Sequence, residues 1–275
     1  MAKKQLAEMS FMDHLEEVRW LLIRTTIAIV IIASACYFID DYIFDTIIFG
    51  PKDPNFVTYH FFCQLTHYFG VDDQYACATK FNFIIQNTEV GGQFSMYLWT
   101  LVSAGFVIGF PYILYEVWRF ISPALYEAER KHAKAFIAVS SLLFFIGVFF
   151  GYYVIVPLSI NFFGTFNVSQ TVINQFSIES YISMVKTSII ASGLVFELPI
   201  IIYFLAKLGL VDAPLLRKYR RLAIVIILIV AAIVTPPDIP SQVVVSIPIL
   251  ILYEVSIWIA AVVSKKQKNN LIQIE

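Results

Sequence analysis

Apolar residues in this chain fall in long runs separated by short polar stretches, without the strict alternation of half-buried strands. Six runs stand out: Trp20–Ile39, Phe94–Tyr115, Ala135–Phe162, Tyr181–Leu208, Leu222–Thr235 and Ser241–Ser264. A helix that crosses a bilayer needs roughly 20 mainly apolar residues, and all but the fifth run reach that length. The fifth stops at Pro236, which predicts a crossing where the membrane thins or protein shields its outer end. Lipid offers no water to an unpaired backbone, so runs of this kind predict helices. The pattern predicts an all-α polytopic membrane protein with six transmembrane helices in a single domain, 1–275.

The polar stretches carry their own patterns. In the segment 10–22, Phe11, Leu15, Val18 and Leu22 form one apolar face, with Asp13, Glu16 and Glu17 on or near the other. It predicts an amphipathic helix along the inner interface that turns into the first span. Its acids read either as a solvated face or as a site. The segment 40–92 is a long loop whose Pro51, Pro54, Gly70, Gly91 and Gly92 mark turns. The segment 116–134 mixes Glu116, Glu127 and Glu129 with Arg119, Arg130, Lys131 and Lys134, and threads Trp118, Phe120 and Tyr126 through them.

Charge fixes the orientation. Of the 19 Lys and Arg, only Lys52 and Lys80 fall in segments on one side, and Lys186 lies within the fourth run. All others lie at or beyond the opposite ends of the runs, with Arg24 and Lys207 just inside them. The positive-inside rule places both termini and the 116–134 loop in the cytoplasm, and the 40–92 loop outside. Cys63 and Cys77 lie in that outer loop, where an oxidising compartment makes a disulfide between them plausible.

Composition agrees: 59% of residues are hydrophobic and 14% charged, against roughly 45–50% and 25% in soluble domains. Lys3 and Lys4 lead into acidic residues, which is not the pattern of a cleavable signal. The chain carries no H-E-x-x-H, no G-x-S-x-G, no phosphate-binding glycine loop and no cysteine pair at metal spacing. An enzyme is not expected, nor a cofactor, a metal or a nucleic-acid partner.

Polar groups at membrane depth are the remaining candidates. Glu197 sits in Phe196-Glu197-Leu198-Pro199, mid-span, where a carboxyl must meet a partner, a cavity or a proton. Thr235 and Gln242 flank a proline-rich outer turn that includes Asp238. They read either as caps of a rigid turn or as donors to a neighbouring helix.

Together these stretches resemble the TatC family, the multispanning receptor subunits of the twin-arginine protein translocase. The matching segments are His14-Leu15-Glu16-Glu17-Val18-Arg19, the run from Leu114 to Tyr126 with Glu129-Arg130, Phe196-Glu197-Leu198-Pro199, and Thr235-Pro236-Pro237-Asp238 with Ser241-Gln242. The long outer loop with two cysteines departs from the family pattern, as does Val18 in place of Leu. The resemblance implies a concave bundle with short fifth and sixth helices, in a bacterial inner membrane. It implies that Glu17 and Glu129 bind the arginine pair of a signal peptide, beside Arg19 and Phe120. Export of folded proteins would then be driven by the proton-motive force. Glu197 would line the cavity, and Thr235 and Gln242 would contact TatA- and TatB-like single-span proteins, with self-association of the chain. The alternative is a proton-coupled small-solute transporter with Glu197 as proton carrier. That alternative predicts repeat symmetry and midplane polar residues from several spans, whereas the polar signals here concentrate at the cytoplasmic loop.

Overall fold

No glycine or proline interrupts the sequence from Phe11 to Phe49. The first helix, α1 (Phe11–Cys36), accordingly runs 26 residues without a break. One rod carries both the amphipathic segment and the first span, so the expected turn between them is not formed; nothing in the sequence there breaks a helix. A computed structural model of the chain describes residues 11–68, 83–122, 133–169, 171, 174–235 and 239–272.

The chain divides into two compact units, residues 1–46 with 89–142, and residues 47–88 with 143–275. In the first unit α1 packs along α3 (Gly92–Ile121). The two run antiparallel: Arg24 meets Glu116, Ala33 meets Gly105, and Asp40 meets Tyr97. Gly105 makes the close crossing possible, because a Cβ there would stand 2.8 Å from the Ile29 carbonyl oxygen. Gly109, one turn on, faces Ile32 in the same way. The helix α3 continues through Glu116 to Ile121, so the first part of the expected 116–134 loop is helical.

In the second unit the third long helix is built from α4 (Ala133–Phe150), a π-helical turn (Gly151–Ile155) and α5 (Val156–Thr165). The first residues of α4 belong to the first unit. The fourth is broken into α6 (Ile178–Val195) and α7 (Leu198–Lys207) at Phe196-Glu197, with Pro199 in the first turn after the break. Gly147 and Gly151 let the third and fourth helices touch backbone to backbone, and Gly193 makes room for the Phe144 ring; a Cβ at Gly147 would lie 2.7 Å from the Ser192 carbonyl oxygen. The Ser192 hydroxyl donates to the Gly147 carbonyl at 2.6 Å.

A short helix, α8 (Ala213–Lys218), is capped by the Asp212 carboxylate, which accepts from the Leu215 amide at 2.8 Å. It leads into α9 (Arg220–Val234), then α10 (Ile239–Ile272). Ile202, Ala206, Ile227, Ala231, Val245 and Ala260 form the centre of this unit's core. The last helix, expected short, spans 34 residues. It tolerates Pro248 internally, and its polar end lacks any residue that would stop it. Among the described residues five helices are long and apolar enough to cross a membrane, namely Leu15–Ile39, Gly92–Ile121, Lys134–Thr165, Ile178–Lys207 and Gln242–Lys265. At 15 residues, α9 measures ~22 Å, short of a hydrocarbon core of about 30 Å.

The described part of the segment between α1 and α3 is more ordered than its turn residues predict. It folds into a π-helical segment (Tyr42–Ile48), a 3-10 turn (Gly50–Lys52), a helix α2 (Val57–Tyr68) and a strand β1 (Phe83–Gln86). The strand pairs in parallel with β2 (Asn174–Ser177), Phe83 opposite Asn174 and Gln86 opposite Ser177. This small ladder is the one departure from an all-α fold among the described residues. Proline explains how α2 is held. Pro157 has no N–H to give the Tyr153 carbonyl one turn earlier, and the Thr58 hydroxyl donates to that carbonyl instead, at 2.7 Å. Next to it, the buried Tyr59 hydroxyl donates to the Pro51 carbonyl at 2.8 Å. Burial holds its phenol above the ordinary tyrosine range.

Candidate functional site

One end of the α1–α3 pair carries residues expected to read a basic ligand. Glu17 is half-buried and Arg19 exposed on α1, and Phe120 is half-buried on the last turn of α3. Because the helices are antiparallel, these residues lie at the same end of the pair. Glu129 lies outside the described residues, as do Asp238 and Cys77.

Between this end and the glycine crossing sits a charge cluster. Glu116 is 2% exposed, and its carboxylate lies 2.9 Å from the Arg24 guanidinium. The Tyr112 hydroxyl donates to the same carboxylate at 3.1 Å, and Arg119 stands 4.0 Å away, one turn on. A buried carboxylate without such partners would be strongly unfavourable. Glu116 is thus a buried, paired residue of the helix contact and not a solvated loop acid. The legible signals were Arg24, the one charge in the first apolar run, and Tyr112 four residues before Glu116 on a helix face.

In the second unit, Glu197 is 7% exposed, in the break between α6 and α7. Its carbonyl accepts from the amides of Ile200 and Ile201, each at 3.0 Å. Thr235 is buried at the end of α9, where its hydroxyl donates to the Ala231 carbonyl at 2.8 Å. The Gln242 side-chain amide donates to the Leu228 carbonyl at 3.1 Å, fastening α10 to α9. Arg220, at the start of α9, pairs with Glu254 in the middle of α10. Thr235 also lines a cavity of about 560 Å³ with Ser159, Tyr181, Thr187 and Ser188; Glu197 is not among its lining residues. Cys63 is disulfide-bonded, and Cys36 is a free, buried thiol. Among the described residues no cluster of His, Cys, Asp and Glu could hold a metal.

These features define a multi-pass helical membrane protein whose charged residues concentrate at one end of its first two long helices. The sequence profile of the Sec-independent protein translocase protein (TatC) family matches residues 13–248. The chain is 42% identical over 265 residues to the Sec-independent protein translocase protein TatC of Blattabacterium sp. subsp. Periplaneta americana, covering 96% of this chain and all of that one. It is 31% identical to the TatC protein of Aquifex aeolicus, covering 95% and 98% of the two chains. Its fold matches a crystal structure of a twin arginine translocase receptor, TatC, with a TM-score of 0.68 and 29% identity over 91% of this chain and 99% of that one. A second crystal structure of such a receptor, in DDM, matches with a TM-score of 0.70 and 30% identity, over 90% and 99% of the two chains.

The chain belongs to the TatC family: it is a component of a Sec-independent protein translocase, a transport subunit rather than an enzyme.

Proposed function

We propose that this chain is the receptor subunit that binds twin-arginine signal peptides at the cytoplasmic face of a bacterial inner membrane. In this reading it begins the export of folded proteins driven by the proton-motive force. The observation that carries the reading is the shared position of Glu17, Arg19 and Phe120 at one end of the α1–α3 pair. Guanidinium groups favour planar, bidentate carboxylate partners and stack on aromatic rings. Glu17 and Glu129 supply the carboxylates, Phe120 the ring, and Arg19 the rim of the site. The solved relatives named as twin arginine translocase receptors support the same role.

The remaining assignments follow from it. Both termini are cytoplasmic and α9 is a short fifth crossing, six spans in all. Thr235 and Gln242 mark where TatA- and TatB-like single-span helices dock, next to the turn holding Asp238, and the chain self-associates. Glu197 faces a hydrated cavity, and Cys63 pairs with Cys77. The test is binding of a labelled peptide with adjacent arginines ahead of an apolar run. Charge-assisted hydrogen bonds contribute about 1.5–3 kcal/mol, so Glu17→Ala and Glu129→Ala should each weaken binding on the order of 10-fold or more. A Lys-Lys peptide should bind weakly to every form. Equal binding by both variants and the parent would refute the assignment.

A further inference from the structure

We propose that the Arg24–Glu116 pair, with Tyr112, is a register latch: a positioning device that holds α1 and α3 in the alignment the signal-peptide site needs. The proposal rests on the reading of Glu17 and Phe120 as receptor residues.

Three observations lead to it. The α1–α3 crossing is made by small residues, with Gly105 against Ile29 and Ala33, and Gly109 against Ile32. Such a contact is close but has no directional bond of its own, so apolar packing alone fixes sliding and rotation weakly. The Arg24–Glu116 contact is instead an ion pair of 2.9 Å between the two helices, and its carboxylate is 2% exposed. A slip of one residue would draw Arg24 away from that buried charge and leave it only Tyr112 and Arg119 on its own helix, a penalty on a small movement. Buried polar pairs are best attested in this role of specifying register. Thirdly, the pair lies beside the site. Glu17 precedes Arg24 by two turns on the same face, ~10 Å along α1, and Phe120 follows Glu116 by one turn, ~6 Å along α3. The outer end of the pair is tied separately, by the Tyr97 hydroxyl donating to Asp40 at 2.6 Å. The latch governs the inner end, where the ligand would bind.

The inference separates register from stability. An apolar pair of similar volume should fold as well as the native pair or better, yet leave the inner end free to slip. A neutral hydrogen-bonded pair should keep the register. The full-length chain in detergent is therefore compared with Arg24→Met/Glu116→Leu, with Arg24→Gln/Glu116→Gln and with Tyr112→Phe. Melting temperature, affinity for the Arg-Arg and Lys-Lys peptides, and the distance between spin labels at Glu16→Cys and Tyr115→Cys are measured for each. The Met/Leu form should melt within a few degrees of the parent, show a broadened or shifted label distance without peptide, and bind the Arg-Arg peptide about 10-fold more weakly. The Gln/Gln form should bind within about 3-fold of the parent, with Tyr112→Phe between the two. An unchanged label distance in the Met/Leu form overturns the latch, and so does a shifted distance with parental affinity and peptide preference. If the Met/Leu form fails to fold, Tyr112→Phe decides alone: parental distance and affinity there overturn the latch. A parallel Glu17→Ala sample reports on the site itself, and its failure to lose binding would count against the receptor reading while the distance data still judge the register.

Discussion

Thr58 and Pro157 form a pair in which one residue's deficit is met by the other. The proline has no amide to give the Tyr153 carbonyl four residues back, and the threonine hydroxyl donates to that carbonyl at 2.7 Å. Thr58→Val keeps the shape and removes the donor. A buried carbonyl left unsatisfied costs about 1–3 kcal/mol, so this variant should unfold earlier in detergent melts than the parent, while a conservative Thr58→Ser should not. Pro157 stands in the third apolar run of the sequence. Its acceptor's new partner was not legible there, because Thr58 sits in a loop 95 residues away. The same limit applies to Glu116: three acids in one loop look alike until the helix end and Arg24 single one out. Glu17 and Phe120 were legible as candidates because the family pattern marks their positions.

At the level of elements, the helix pairs are set by where glycine sits. Gly105 and Gly109 on α3, and Gly147 and Gly151 on the third helix, recur at a spacing of four, which places each pair on one face. Their spacing stands in the sequence, but which helix they meet does not. Gly147→Leu would drive a side chain into the Ser192 carbonyl and the Gly193 Cα, 2.7 and 2.9 Å from the Cβ position. Overpacking of this kind costs about 1–3 kcal/mol. The variant should melt well below the parent, whereas Gly91→Ala, whose Cβ meets nothing within 4 Å, should melt with it. The helices themselves were readable from apolar run length, with ends misplaced where no breaker residue marks them. Thus α3 ran past Tyr115 into the presumed loop, and α10 ran on past Ser264. The outer loop was the least legible region: its strand finds a partner only in a distant segment.

For the whole molecule, the charge asymmetry and the helix order together make a topology that labelling can check. With native cysteines replaced, a membrane-impermeant maleimide applied to intact cells should modify Val168→Cys, in the loop before β2, and spare Leu210→Cys, between α7 and α8. Modification of Leu210→Cys alone would reverse the orientation. The parallel β1–β2 ladder adds a constraint of another kind. Its strands can pair only on the same side of the membrane, so the chain between Gln86 and Asn174 must cross an even number of times, as α3 and the third helix together do. It also imposes an order of events during synthesis. When β1 leaves the ribosome its partner does not yet exist, and two further helices must be inserted before β2 arrives. The outer loop therefore waits for its last backbone bonds until more than half the chain is made, so closure of the ladder reports that both intervening helices have been inserted.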